Sequence, residues 1–338
     1  MRRITIIGAG IFGLACAYTF ARRGAAVRVI EARHIGAGAS GGQVGALAPH
    51  DPARWNAKKQ IQLEALIAAG EYWAGVERIG GIAPGWARLG RVCAASGDVE
   101  AKLAGAASHW PDGFSLRLDR IAHPLLGAGE YLFDTLTARI SPRDACAALA
   151  AAIRAQGGVI EEGAGPRHPD SIPAPCIWAT GAEGLDMLSA DLSRPMGRAV
   201  KGQSAAFRLP LPRAPQLFLD ALHVVPHADG TVAIGSTTER DFTDPAATDA
   251  GLDALIAQAR ALCPPLADAP VAERWAGLRP RAQSRAPLLG PWPGREGHWV
   301  ANGGFKIGLA MAPWAGEALA DWMLAGDCRV PEDWRSGA

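Results

Sequence analysis

Residues 3–31 read RITIIGAGIFGLACAYTFARRGAAVRVIE, and they decide the fold. Arg3 begins a short, β-branched apolar run that ends at Ile7, the pattern of a buried strand. From Ile11 the composition turns to alanine and other helix formers, reaching Arg22 and Arg23 before Gly24. Those cations suit a helix C-terminus, and the glycine stops the helix. Residues 26–30 (AVRVI) form a second strand, closed by Glu31, 18 residues after Gly13. Between strand and helix stand Gly8, Gly10 and Gly13, each with its own physical reason. Gly8 permits a tight turn, Gly10 lets a diphosphate approach the backbone, and Gly13 allows the helix to lie close on the strand. The helix N-terminus then faces the anion, and Glu31 can accept hydrogen bonds from a ribose diol. Glycine spacing by itself is a weak sign; strand, turn, helix, strand and terminal acid in one unit point to dinucleotide binding. The plain alternative is an apolar βαβ unit with incidental glycines.

One other reading competes for the same residues. Arg2 and Arg3, the uncharged stretch 4–21 and the small run Ala15-Cys16-Ala17 imitate a secretory leader. Three glycines would weaken a leader's apolar helix, so the strand-turn-helix reading is preferred. No other stretch approaches the roughly 20 apolar residues of a membrane span, and the expectation is a cytoplasmic protein.

Composition bounds the rest. The chain has 338 residues, which exceeds the usual size of one core and predicts two domains, in series or interleaved. With 49% hydrophobic and 20% charged residues it carries enough apolar surface to fold. Thirty-four Lys and Arg against 33 Asp and Glu leave a formal charge of +1, without the cationic surplus that phosphate backbones attract. Six cysteines, at 16, 93, 146, 176, 263 and 328, form no CxxC pair, so buried free thiols are expected.

Further along, residues 39–49 (ASGGQVGALAP) form a glycine-rich, uncharged loop suited to lie flat against a large ligand. Residues 56–80 space apolar side chains as one long helix, and 86–95 and 130–137 read as strands separated by an irregular 108–130. Ser141 and Pro142 mark a helix start, with Ser141 as cap. Residues 159–175 hold four prolines and little strand pattern, while 176–181 (CIWATG) read as a buried strand ending in a Thr-Gly turn. Strands are expected at 203–209, 217–225 and 231–237, with Asp229-Gly230 as a hairpin turn, and a helix at 248–262. No internal repeat or low-complexity linker is present.

Four ordered motifs within residues 1–326 resemble the FAD-dependent amine and amino-acid oxidoreductases, the glycine oxidase, D-amino-acid oxidase and sarcosine oxidase group. They are the opening glycine turn, the Ala39-Ser40 loop, Gly277-Leu278-Arg279-Pro280, and the turn from Asn302 to Gly308 ahead of a helix at 309–325. The resemblance implies an α/β fold in which a Rossmann-like FAD-binding domain (1–85, 138–200 and 275–338) is interleaved with an antiparallel-sheet substrate domain (86–137 and 201–274). It implies FAD contacts from Gly8, Gly10, Ile11, Phe12, Gly13, Glu31, Ala32 and Arg33. Further contacts are implied from Ser40, Gln43, Val44, Gly45, Ala46 and Leu47, from Ala179, Thr180 and Gly181, and from Gly304, Phe305, Lys306, Ile307 and Gly308. Neither late motif contains a cysteine, so FAD is expected to be noncovalent. Relatives place a three-stranded meander where 159–175 lies, which leaves adenine-side contacts there open. They also continue after the arginine with Thr-x-Asp, whereas this chain reads Arg281-Ala-Gln-Ser-Arg285 before Pro287-Leu-Leu-Gly290.

In the group that this sequence resembles, the arginine grips the substrate carboxylate, a role that suits a planar guanidinium fork stiffened by a neighbouring proline. The resemblance implies that Arg279 does so here, with Lys306 as a second anion contact and His223 as a polar pocket wall. An ordinary interdomain ion pair for Arg279, a solvated Lys306 and a surface His223 are the plain alternatives. The four-residue spacing of His223 and His227 invites a metal, but Pro226 interrupts the segment and no third ligand is evident, so no metal is expected. Eleven scattered tryptophans suggest packing rather than a stacking platform.

The implied activity is hydride removal from the carbon between amine and carboxylate of a small amino or N-alkylamino acid, delivered to flavin N5, giving an imine that hydrolyses. Oxygen or a quinone would reoxidise the flavin, and a homo-oligomer is compatible. The alternatives are a flavin-dependent partner in tRNA-base modification, which near-neutral charge disfavours, an NAD-dependent Rossmann dehydrogenase, and a non-enzymatic flavoprotein scaffold.

Overall fold

The computed structural model describes residues 3–337; Arg2, the first cation of the leader-like reading, lies outside them. β1 (Arg3–Ile7), α1 (Ile11–Arg22) and β2 (Ala26–Ile30) form the expected opening, with the strands parallel and Ile7 opposite Ile30. After β3 (Ala46–Leu47), the long helix is α2 (Ala57–Gly80), where Asn56 accepts from Lys59 N and Gly81 ends the helix at φ 71°. β4 (Arg91–Ala94) is shorter than the strand expected at 86–95, and α3 (Val99–His109) follows it.

The segment expected to be irregular, 108–130, contains β5 (Leu116–His123), which pairs along its length with β6 (Gly127–Asp134). β5 is an edge strand with most residues open to solvent, so it carries charges in place of a buried apolar row. β7 (Ala138–Arg139) pairs with β3, and α4 (Pro142–Ala155) starts at the expected proline. The Ser141 hydroxyl makes no capping bond, however; proline geometry and Asp144 in the first turn support that start instead.

β8 (Val159–Glu161), β9 (Cys176–Trp178) and α5 (Gly181–Asp191) lead into β10 (Gly197–Arg208). The single strand expected at 217–225 is two, β11 (Gln216–Leu219) and β12 (Leu222–Pro226), joined by a turn in which Asp220 and Ala221 take φ of 45° and 64°. Neither residue is glycine or asparagine, so composition concealed the reversal. β13 (Thr231–Gly235), α6 (Ala250–Leu262), β14 (Val271–Ala282), β15 (Leu288–Pro291), β16 (His298–Asn302) and α7 (Gly308–Ala325) complete the order.

Six strands form one sheet in the order β15-β16-β9-β1-β2-β8, parallel except for the β15–β16 pair. Helices α1, α2, α4 and α7 pack together, and the side chains of Leu14, Phe20, Trp73, Leu149 and Leu319 join one core. The second sheet has eight strands, β14-β10-β13-β12-β11-β4-β6-β5, antiparallel except for β11–β4, with α6 on its apolar face. The domain divisions expected at 200/201 and 274/275 fall inside β10 and β14, two 12-residue strands of this sheet that pair from Gly197↔Ala282 onward.

Among the described residues the six cysteines are free thiols; Cys93 and Cys328 are partly exposed, contrary to the expectation that all are buried. Burial pushes the Cys16 and Cys146 thiols up to about 12, which keeps them inert. No helix among the described residues is long and apolar enough to cross a membrane.

Candidate active site

A cavity of about 650 Å³ opens between the two sheets, and the ends of β1, β2 and β9 meet β10, β12 and β14 around it. At one end lies the glycine turn. Gly8 has φ 102°, and a Cβ there would come within 2.5 Å of Ala179 O. Nothing of the protein stands closer than 3.4 Å to where a Gly10 Cβ would be, which leaves that backbone open to a ligand. Two helix N-termini meet this space, α1 at Gly10 and α7 at Gly308; neither N-cap residue supplies a side-chain cap, and neither first turn holds an acid. Their unsatisfied amides and dipoles make the site suited to anions. Ser40 Oγ accepts from Ile11 N at 2.9 Å, tying the 39–41 turn to the start of α1.

Glu31 is buried, and its carboxylate accepts from Ala9 N at 2.7 Å and Arg33 N at 2.9 Å. The acid therefore braces the glycine turn from within as well as bordering the cavity. The proline-rich segment read as patternless runs beside it. Glu31 N donates to Glu161 O, Ala164 N to Glu31 O, Gly165 N to Ala32 O and Gly163 N to Arg33 O. This backbone ladder continues the β2–β8 pairing and brings Gly165, Pro166 and Arg167 to the cavity wall. Backbone bonds carry no side-chain periodicity, so no sequence signal marked these three residues.

Gly8, Gly10, Ile11, Phe12, Glu31, Ala32, Arg33, Ser40, Gln43, Val44, Ala46, Ala179, Thr180, Gly181, Gly304, Phe305, Lys306 and Gly308 all line the cavity. Four residues of the same expected set do not. A Cβ on Gly13 would sit 1.9 Å from Gly8 O, so that glycine serves the packing of α1 on β1. Gly45 lies against Ile140 O, Leu47 is fully buried in the core, and Ile307 packs its side chain against that core. Asn302, which lines the cavity but was missed as a site residue, donates from Nδ2 to Gly181 O at 2.8 Å and joins the Thr-Gly turn to β16.

The other end of the cavity holds the cations. Arg279 donates from Nη1 to Ser236 Oγ at 2.8 Å and from Nη2 to Lys201 O at 3.2 Å, while its Nε is buried without a partner. Among the described residues no carboxylate lies within 4 Å of it. Burial pulls its guanidinium down to about 10, against a weaker opposing pull from Glu239. Gly202, opposite Gly277 in the β10–β14 register, makes room for this head group: a Cβ there would come within 2.0 Å of Nη2. No sequence signal marked Gly202, because the pairing that brings it to Arg279 joins strands more than 60 residues apart.

Lys306 Nζ lies 5.8 Å from the centre of the Phe305 ring, and Arg279 lies 5.7 Å from the same ring. Lost solvation and then the Arg279 charge hold the Lys306 ammonium below the usual lysine range. His223 lines the wall with its ring 4.6 Å from Phe218, and its Nδ1 is buried without a partner. Burial, then the charges of Arg91 and Lys306, push this imidazole down to about 3, so it is neutral at ordinary pH. His227 does not line the cavity; its Nε2 donates to Gln43 O at 2.9 Å and anchors the 39–49 loop. Among the described residues no three His, Cys, Asp or Glu side chains converge as a metal site.

This architecture fits an FAD-sized ligand. A glycine turn whose Gly10 backbone is open to a ligand, two helix N-termini and Glu31 suit a diphosphate and ribose, and the glycine-rich loop suits a ring system. Arg279, Lys306 and His223 line the remaining space, which suits a second, smaller ligand.

A family model described as FAD dependent oxidoreductase matches residues 3–322. The chain is similar to the glycine oxidase of Pseudomonas aeruginosa, 36% identical over 141 residues, which cover 40% of this chain and 39% of that protein's length. It is also similar to the glycine oxidase of Geobacillus kaustophilus, 25% identical over 349 residues, covering 94% of this chain and 92% of that one. Among solved structures, iminodiacetate oxidase from Chelativorans sp. matches with a TM-score of 0.85 at 24% identity, over 98% of each chain. That last match is a likeness of fold.

Proposed function

The chain belongs to the FAD-dependent oxidoreductase family, and from that premise we propose that it oxidises the carbon–nitrogen bond of a small amino or N-alkylamino acid. One observation carries this reading: a partly buried guanidinium with no carboxylate within 4 Å among the described residues, Arg279, faces the cavity that the glycine turn and helix N-termini open from the other side. The similarity to glycine oxidases supports the same substrate class. FAD, when bound, supplies the acceptor for the hydride. It would be held noncovalently by the glycine turn, Glu31, the 39–46 loop and the start of α7, since no cysteine lines the cavity among the described residues.

The protein's own part is positioning. Arg279, which lines the cavity, holds the substrate carboxylate with its guanidinium, and its bonds to Ser236 Oγ, Lys201 O and Thr237 O fix the orientation of the head group. Lys306 adds a second positive charge from the opposite loop. The neutral His223 forms an uncharged wall beside the amine, and the positive charges of Arg279 and Lys306 favour the amine's unprotonated form. The imine then hydrolyses in water. The test is anaerobic titration of the purified protein with a panel of amino and N-methylamino acids. Bleaching of the oxidised flavin bands is expected, and admission of air distinguishes oxygen from a quinone as acceptor. A flavin that no member of the panel reduces would overturn the reading.

A further inference from the structure

The run from Arg281 to Arg285 stands where the resembling family carries an acid, and the fold shows where these arginines go. Arg281 follows Arg279 by two residues on β14, which puts both on one face about 6.7 Å apart along the strand. Arg281 does not line the cavity, but its guanidinium carbon is 5.6 Å from the centre of the Phe305 ring, which does. The same ring has Arg279 and Lys306 beside it, at 5.7 and 5.8 Å. Across the β10–β14 pairing Arg281 is opposite Arg198. After burial, the charges of Arg285, Arg198 and Arg240 hold the Arg281 guanidinium below the ordinary arginine range. Among the described residues, no carboxylate lies within 4 Å of Arg198, Arg240, Arg281, Arg285 or Lys306.

Like charges gathered without counter-ions destabilise the protein that holds them, and at a cleft mouth they focus a field on an incoming anion. A merely solvated face does not require one of its arginines to lie half-buried against the ring that closes the cavity. We propose that Arg281, against the Phe305 ring and opposite Arg198, binds a second carboxylate of the substrate, so that the preferred substrate is an amino acid bearing a carboxylate on its side chain or on its N-substituent. The first carboxylate remains at Arg279, and the spacing of the two arginines suits acids separated by a few atoms. This inference rests on the amino-acid oxidation proposed above and specifies its substrate class.

The test uses the FAD-loaded protein and matched pairs: aspartate against asparagine and glutamate against glutamine, both enantiomers, and N-(carboxymethyl)glycine against N-methylglycine. For at least one pair, kcat/KM for flavin reduction is expected to be tenfold or more higher for the diacid, and Arg281→Gln is expected to reduce that ratio at least fivefold. Equal or better turnover of the neutral partners in all pairs, or a ratio unaltered by Arg281→Gln, overturns the inference and leaves amino-acid oxidation standing. Succinate against acetate, followed through the flavin spectrum of the unaltered protein, gives a reading that needs no variant and no turnover. At least tenfold tighter binding of succinate is expected, and equal affinity overturns the inference. If no amino acid reduces the flavin while succinate still binds tenfold tighter, the diacid site stands and the oxidation reading falls.

Discussion

Arg279 holds a charge that burial weakens and no nearby acid neutralises, so removing it releases a strained group and deletes an anion site together. Arg279→Ala is expected to retain FAD, because none of the glycine turn, Glu31 or the α7 start depends on this side chain. Its kcat/KM for flavin reduction is expected to fall about thirtyfold to several-thousandfold, the loss of roughly 2 to 5 kcal/mol of charge-assisted binding. Stopped-flow reduction measures this, and a variant as fast as the parent would remove Arg279 from the substrate site. Gly202 tests the same head group from behind. Since a Cβ there would meet Nη2 at 2.0 Å, Gly202→Ala is expected to displace the fork and raise KM about tenfold or more, with the flavin spectrum intact. An unchanged KM would mean that the guanidinium can be relocated without loss.

At the scale of the element, the opening βαβ unit depends on one contact more than on any conformation. A Cβ on Gly13 would stand 1.9 Å from Gly8 O, so Gly13→Ala must lift α1 off β1, at a cost of about 1 to 3 kcal/mol or more. Gly24, at the end of α1, has φ 83° but open space around it, and Gly24→Ala should cost only about 1 kcal/mol. Thermal melts of the two variants are expected to order Gly13→Ala well below Gly24→Ala. The reverse order would show that conformational strain, rather than close approach, limits this turn. The same unit also shows how far sequence patterns reach: Gly8, Gly10 and Glu31 border the cavity, whereas Gly13 sits behind it, invisible to the ligand and still required.

Across the whole molecule, burial acts in one direction on several imidazoles. His223, pushed down to about 3, together with His50, His123, His227 and His298, prefers the neutral form when folded, and burial is the leading cause for each. The unfolded chain protonates such side chains near pH 6.5, before the folded protein does. Between those values the unfolded state binds more protons, so stability is full above about 6.5 and declines as pH falls below it. Carboxylates held low by arginine, such as Asp191, add to the loss only at more acid pH. Tm is therefore expected to fall steadily between pH 7 and pH 5, and a flat Tm over that range would show that the imidazoles can charge without unfolding the protein.

What the sequence determined by itself is local in the chain. The glycine turn, the acid at the end of β2, the capped start of α2 and the helix after the last glycine turn each need residues only a few positions apart, and spacing records such needs directly. The Arg279 motif was legible because a planar cation followed by proline resembles a known grip. Tertiary structure alone decided the rest. Edge strand β5, with its charges, and the hairpin at Asp220 and Ala221, with neither glycine nor asparagine, carry no clear local pattern for their geometry. The backbone ladder that brings Gly165 to Arg167 beside Glu31, the room that Gly202 leaves for Arg279, and the gathering of Arg198 with Arg281 are pairings between distant strands and loops. Such positions are set by the register of one sheet and the docking of another, and the burial and like-charge fields that follow exist only once both sheets have closed around the cavity.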